Sequence, residues 1–283
     1  MSNLKREAGA AGSAPAVSAK SVVELATCRS MPVLGLGTWE LTHDTSGTVA
    51  YALQLGYRMI DTACDYGSQP GIGQALRRGV IDRRSVYLIA KVEESDDAYA
   101  ATRKYLGEIG VEYADLMLIH RPPEEGVGVA LWRGLQRARS EGLVRDIGVS
   151  NYSIDQIQTL GRETGELPTV NQIEWSPFGH SDVMLEFCRK HHIVLQAYSP
   201  LTRAARLGDK VLRAIAERHD RTPVQILIRW NLQRGTVPLP KANREDHLRE
   251  NFDVFGFAIG AEDMEALNGL NEHYSALGSL PYV

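Results

Sequence analysis

The chain has 283 residues, 43% hydrophobic and 23% charged, which is enough for one large α/β domain or two small ones around a sizeable core. A formal net charge of -4 argues against nucleic acid or an anionic membrane surface as the main partner, so the expected ligand is a small molecule. The three cysteines, Cys28, Cys64 and Cys188, are an odd number without CxxC spacing; they suggest neither a disulfide framework nor a metal site, and they fit a reducing cytoplasm.

Residues 1–20 are rich in Ala, Gly and Ser and lack an apolar h-region, so they read as a flexible tail rather than a signal peptide. No later run approaches 18 apolar residues, and no membrane span is expected. Residues 21–39 hold two short extended stretches, a hairpin-like cap running into the first strand of a repeating pattern. Val49 and Leu53 share a helical face with Gly56 as its stop, and Arg58-Met59-Ile60 runs as a strand into Asp61. A helix over 72–78, a strand over 85–91, a helix over 97–109 and a strand over 114–120 follow. Leu131, Trp132, Leu135 and Ala138 define a helix over 129–140, with Gly142 as its stop and a strand over 146–150. Ser153-x-x-Gln156 has the form of a capping box. Next come a strand over 169–174, a helix over 182–191 and a strand over 193–198. A helix over 209–218 precedes one opened by Thr222-Pro223-Val224-Gln225, and the last strand spans 236–240.

Eight βα units without a linker predict a closed (β/α)8 TIM barrel, a single domain over 21–283 with an N-terminal extended hairpin cap and a short C-terminal helical extension. A doubly wound open sheet is the alternative. The glycine fingerprint it would need is absent: Gly71-x-Gly73 and Gly126-x-Gly128 lack the third glycine, and neither follows a strand.

Polar residues interrupt the apolar pattern at one kind of place, the C-terminal ends of the predicted strands. Asp61, Lys91, His120, Ser150, Asn151, Gln172, Glu174 and Tyr198 stand there, and Lys241 follows the last strand. Each alone has a structural account: a snorkelling lysine, a satisfied core histidine, a turn asparagine. Together they line one rim of a barrel, the rim on which barrel active sites are built. Tyr66 lies on the loop just beyond Asp61. A phenol titrates near ~10 in water, and a neighbouring ammonium such as that of Lys91 should lower this value. Asp61 would hold Lys91 charged, and His120 could orient a carbonyl oxygen. The set contains no activated nucleophile and no metal motif. It suits protonation of a carbonyl while a second reagent delivers hydride, which implies a nicotinamide cofactor. Tyr87 and Lys91 match a Y-x-x-x-K pair, but on a strand they stand roughly 13 Å apart and cannot cooperate.

Gly56 to Gly67 (GYRMIDTACDYG), the lysine of LIAK, His120-Arg121-Pro122, Gly148-Val-Ser-Asn151, Asn171-Gln-Ile-Glu174, Ala197-Tyr-Ser-Pro200 and the segment 241–251 occur in the order and at the spacing of the aldo-keto reductases, and from about 32 to 270 the chain resembles that family. The preponderance of arginine over lysine fits a bacterial-type member. The resemblance implies Tyr66 as general acid, with Asp61, Lys91 and His120 completing a catalytic tetrad. It implies Ser150, Asn151 and Gln172 on a carboxamide, Tyr198 stacked on the nicotinamide, and Gly37, Thr38, Asp61, Ser199 and Leu201 along the cofactor. Lys241, Ala242, Arg244, His247, Glu250 and Asn251 would surround its adenosine end, and Trp39, Tyr66, His120 and Arg121 the substrate. The implied protein is a cytoplasmic, monomeric oxidoreductase acting on a small carbonyl compound with NADP(H), NAD(H) being the alternative. A regulatory, cofactor-binding protein of the same fold is a second reading, which the intact tetrad disfavours. Three departures stand out. Arg121 replaces the usual Trp, Ala242 and His247 replace Ser and Arg, and the extension after Asn271 is short.

Overall fold

The computed structural model describes residues 17–282 other than 42, 80, 96 and 279. Most of the expected tail, residues 1–16, lies outside that part. Val17, within the segment read as tail, is half-buried against an apolar cluster of the barrel wall.

Two short strands, β1 (Val22–Glu24) and β2 (Ser30–Pro32), pair antiparallel with Val23 opposite Met31. Leu25 and Met31 of this hairpin pack with Met59, Ile89, Leu116, Leu118, Val170 and Val237, so the cap plugs the barrel interior with apolar side chains. Asp146 ties it down, its Oδ1 accepting from Thr27 Oγ1 at 2.7 Å and Arg29 Nη1 at 3.2 Å.

The barrel strands follow in order: β3 (Leu36–Gly37), β4 (Met59–Asp61), β5 (Tyr87–Val92), β6 (Ala114–Ile119), β7 (Val144–Ser150), β8 (Val170–Glu174), β9 (Val194–Tyr198) and β10 (Val237–Pro238). Each is parallel to the next, from β3 at one end to β10 at the other. The ends meet through two backbone bonds, Gly35 N–H to Pro238 O and Gly37 N–H to Pro240 O, each 3.1 Å. The closing strand is shorter than the five residues expected because Pro238 and Pro240 have no N–H to give a ladder. Gly37 is required at the seam, since a Cβ there would come within 2.8 Å of the Leu239 carbonyl oxygen.

The helices are α1 (Thr45–Leu55), α2 (Gln69–Arg77), α3 (Ala98–Ile109), α4 (Val129–Ser140), α5 (Ile154–Thr164), α6 (Asp182–Lys190), α7 (Lys210–Arg218), α8 (Pro223–Arg234), α9 (Glu245–Phe252) and α10 (Ala261–Asn268). Local chemistry sets their ends. Reciprocal capping boxes open α5 (Ser153 with Gln156) and α8 (Thr222 with Gln225), Asp97 caps α3, and Gly56 closes α1 at φ 119°. After α10 the chain returns to the rim. The Phe178 carbonyl receives Glu272 N–H and Tyr274 N–H, while Glu174 receives Ser275 Oγ and Ala276 N–H, each at 2.6 Å. No helix among the described residues is long and apolar enough to cross a membrane.

Candidate active site

The C-terminal ends of the strands open into a cleft of about 780 Å³. Asp61, the last residue of β4, and Lys91, the penultimate residue of β5, point to the same spot because the two strands are ladder neighbours. Lys91 is completely buried, with Nζ 2.8 and 2.9 Å from the two Asp61 carboxylate oxygens and 3.1 Å from the Thr62 carbonyl. Burial favours the neutral amine, but Asp61 and the Tyr66 phenol outweigh it and keep the group charged. Thr38, just past β3, supports Asp61, bonding its carbonyl through both N–H (3.1 Å) and Oγ1 (2.8 Å).

A short 3-10 turn, Cys64–Tyr66, carries Tyr66 over the lysine, with Lys91 Nζ 5.0 Å from the centre of its ring. The His120 ring meets Tyr66 edge-on, centroids 5.9 Å apart. Burial pushes the Tyr66 phenol up; Lys91 pulls it down, Asp61 opposes, and on balance it lies above its ordinary value. The sequence anticipated a lowered value from Lys91 alone. In the folded chain burial is the larger effect, and the phenol stays protonated at neutral pH.

His120 Nδ1 lies 2.8 Å from Oε1 of Glu93, which also accepts from Cys64 Sγ at 3.1 Å. Glu93 stands just past the end of β5 and carries no local sequence signal, because its partners are 27 and 29 residues away. Burial alone would raise the Glu93 carboxyl; its bonds to His120 and Cys64 and the nearby Arg121 hold it below the usual range. Cys64, Asp65 and Glu93 bring three donor atoms within 4.8 Å of one another. Burial pushes the Cys64 thiol up to about 12, so this is a hydrogen-bonded cluster of a protonated thiol rather than a thiolate ligand set.

Further along the cleft, Asn151 takes a left-handed backbone (φ 64°), which asparagine tolerates, and Nδ2 reaches the His120 carbonyl at 3.0 Å. Its Oδ1 receives the Tyr198 hydroxyl at 2.7 Å. Ser150 Oγ bonds the Gln172 carbonyl at 2.7 Å, and Gln172 Nε2 donates to Asp61 (2.8 Å) and Gln196 (3.0 Å). Gly37, Thr38, Ser199, Leu201, Lys241, His247, Glu250 and Asn251 also line the cleft, as do Trp39, Tyr66, His120 and Arg121.

Three residues assigned to the site do not themselves line the cleft. Lys91 lies beneath the cleft floor, reaching it only through Asp61 and Tyr66. Ala242 packs into the apolar cluster of the barrel wall. Arg244 is turned to solvent, its Nε 2.9 Å from Asp246.

Features without a sequence signal complete the walls. Ser199, Thr202, Arg203 and Ala204 all have positive φ, which costs a non-glycine residue about 1 kcal/mol or more and marks a loop shaped by its surroundings. Arg203 reaches across the cleft to lie 4.5 Å over the Trp39 ring and 3.4 Å from Glu40. Leu277, from the returning C-terminal segment, is a wall residue as well.

The aldo/keto reductase family model matches residues 33–272. An aldo-keto reductase of Mycobacterium tuberculosis is 39% identical over 249 residues, covering 86% of this chain and 88% of that protein. A 9,11-endoperoxide prostaglandin H2 reductase of Trypanosoma cruzi is 38% identical over 251 residues, with 86% and 88% covered. Among solved structures, a Bombyx mori aldo-keto reductase in complex with NADP superposes with a TM-score of 0.85 at 28% identity, covering 90% of this chain and 94% of that one. An aldo/keto reductase from Brucella melitensis gives 0.83 at 36%, with 88% and 99% covered. With the barrel, the rim and these matches in hand, the chain belongs to the aldo/keto reductase family, and it is an oxidoreductase of the carbonyl-reducing kind.

Proposed function

We propose that this protein reduces aldehydes or ketones to alcohols with NADPH, Tyr66 giving the proton to the carbonyl oxygen. The observation that carries the reading is the buried Asp61–Lys91 pair beneath a protonated phenol on the wall of a large cleft. A carbonyl oxygen that gains negative charge needs a donor already protonated, and the raised Tyr66 phenol is one. As its proton leaves, the phenolate forms beside the ammonium of Lys91, which needs no reorganisation because Asp61 already holds it.

The residues present fit a dinucleotide. Amide and hydroxyl groups of Asn151, Gln172 and Ser150 cluster near Tyr66, and Lys241 and His247 border the cleft with no ion pair of their own among the described residues. When bound, such a cofactor supplies the hydride. Lys241 favours a 2′-phosphate as a point charge. Arg244 can join it only by leaving Asp246, and His247 lacks a guanidinium fork, so NADPH should be preferred with NADH still used.

Tyr66→Phe tests the assignment. The variant should keep its fold and still quench on binding NADPH, while kcat for a reactive aromatic aldehyde falls by ~10² or more. Near-normal turnover in a folded variant would remove Tyr66 from the role, and equal kcat/KM with NADPH and NADH would remove the phosphate-site reading.

A further inference from the structure

The group on the far side of His120 is a carboxylate. Oε1 of Glu93 sits 2.8 Å from His120 Nδ1, and the His120 side chain is 9% exposed, so water does not compete freely for that nitrogen. A carboxylate accepts and an imidazole Nδ1 facing it must therefore donate. In the neutral ring this leaves the lone pair on Nε2, on the side of the ring away from Glu93, where His120 lines the cleft beside Tyr66. Charged and titratable groups surround the ring on several sides. Cys64, Asp65 and Tyr66 come from the turn after β4, Asp61 and Lys91 from the strand ends, Glu93 from the end of β5, Arg121 from the next residue, and Tyr198 from β9. Of these, Glu93 hydrogen-bonds an imidazole nitrogen directly.

We infer that Glu93 is a positioning residue for the proton step: it fixes His120 as the Nδ1–H tautomer, aims Nε2 into the cleft, and supplies the countercharge when Nε2 takes up a proton. The inference rests on the carbonyl-reductase reading. In that step the Tyr66 O–H bond breaks as the new alcohol O–H bond forms, and the tyrosinate must be reprotonated from water before the next turnover. His120, next to Tyr66 and next to the exposed Arg121 at the cleft mouth, is placed to pass that proton. Taking a proton at Nε2 makes an imidazolium, giving one up to the tyrosinate restores the neutral ring, and the Nδ1–H bond to Glu93 persists through both. A neutral ring in the other tautomer would present an N–H to the cleft and could not receive a proton there.

Glu93→Gln and Glu93→Leu separate geometry from charge. The Gln amide oxygen can still accept from Nδ1, so the tautomer stays while the countercharge is gone; Leu removes both. Long-range 1H–15N spectra of the full chain with saturating NADP+, with the His120 peaks assigned by their loss in His120→Asn, read the tautomer without any turnover. A proton on Nδ1 is expected in the native chain and in Glu93→Gln, with a shift toward Nε2–H in Glu93→Leu. With a reactive aldehyde, kcat should fall about tenfold in Glu93→Gln and further in Glu93→Leu, with the aldehyde KM within about twofold. A residue that merely packs would change thermal stability and leave tautomer and kcat together unmoved. An Nε2–H tautomer in the native chain, or a folded Glu93→Leu with native tautomer and kcat within twofold, overturns the inference. Failure of the native chain to turn over any carbonyl would sink the reductase reading instead, and the spectra would still decide whether Glu93 sets the His120 tautomer.

Discussion

Lys91 carries its ammonium to a strand end with no exposed surface, where an unpaired charge would cost several kcal/mol. Asp61 answers it with two short bonds and is in turn held by Gln172 and by the backbone that Thr38 clamps. A charge held this tightly is a fixed element of the site. Arg121 is the opposite case: it is exposed, lines the cleft and makes no ion pair among the described residues. An anionic carbonyl compound would gain a charge-assisted contact of about 1.5–3 kcal/mol if Arg121 closes on it. In Arg121→Trp the KM for 4-carboxybenzaldehyde should rise roughly tenfold, while that for benzaldehyde holds or falls. Equal changes for both aldehydes would show that the guanidinium stays in solvent during turnover.

Elements meet the cleft with differing firmness. The strand ends are fixed within an eight-stranded parallel sheet, whereas the returning C-terminal segment depends on a few polar bonds to Glu174 and on a close approach to Gly179. A Cβ at Gly179 would come within 2.1 Å of the Tyr274 carbonyl oxygen, so a side chain there must push that segment away. Leu277 would move with it. Gly179→Ala should therefore leave NADPH binding intact and lower thermal stability by a few degrees, while kcat/KM changes severalfold and unequally across small and large aldehydes. If every aldehyde is affected alike, the segment is not a wall of the substrate site.

Across the whole molecule, buried phenols set an alkaline limit. Burial raises Tyr57, Tyr87, Tyr152, Tyr198 and Tyr282 well above the ordinary phenol value, and Tyr66 is raised as well. The sign follows from linkage. Above the unfolded value of about 10 the unfolded chain sheds protons that the folded chain keeps, so stability is fully present below that pH and declines as pH rises toward the folded values. The melting temperature should hold from pH 7 to 9 and drop steeply beyond ~10, and absorbance at 295 nm should show several tyrosines titrating only as the fold is lost. A flat melting temperature through pH 11 would contradict this.

Much of this molecule was legible along the chain because the signals are local. The capping boxes at Ser153 and Thr222, the glycine stop at Gly56 and the alternation of strand and helix each depend on residues within a few positions, and all lie where the pattern put them. The polar residues Asp61, Lys91, Ser150 and Tyr198 at or next to strand ends were visible for the same reason, since a polar group closing an apolar run breaks a short-range rule. Only the closed barrel decided the rest. The His120–Glu93 bond, Arg203 lying over Trp39, Glu174 anchoring the C-terminal return, the inward turn of Ala242 and the pairing of Arg244 with Asp246 depend on where side chains point once distant strands are brought side by side. The balance on Tyr66 belongs there too: sequence supplied the lysine that lowers its pKa, and the depth at which the barrel buries the ring made desolvation the larger effect.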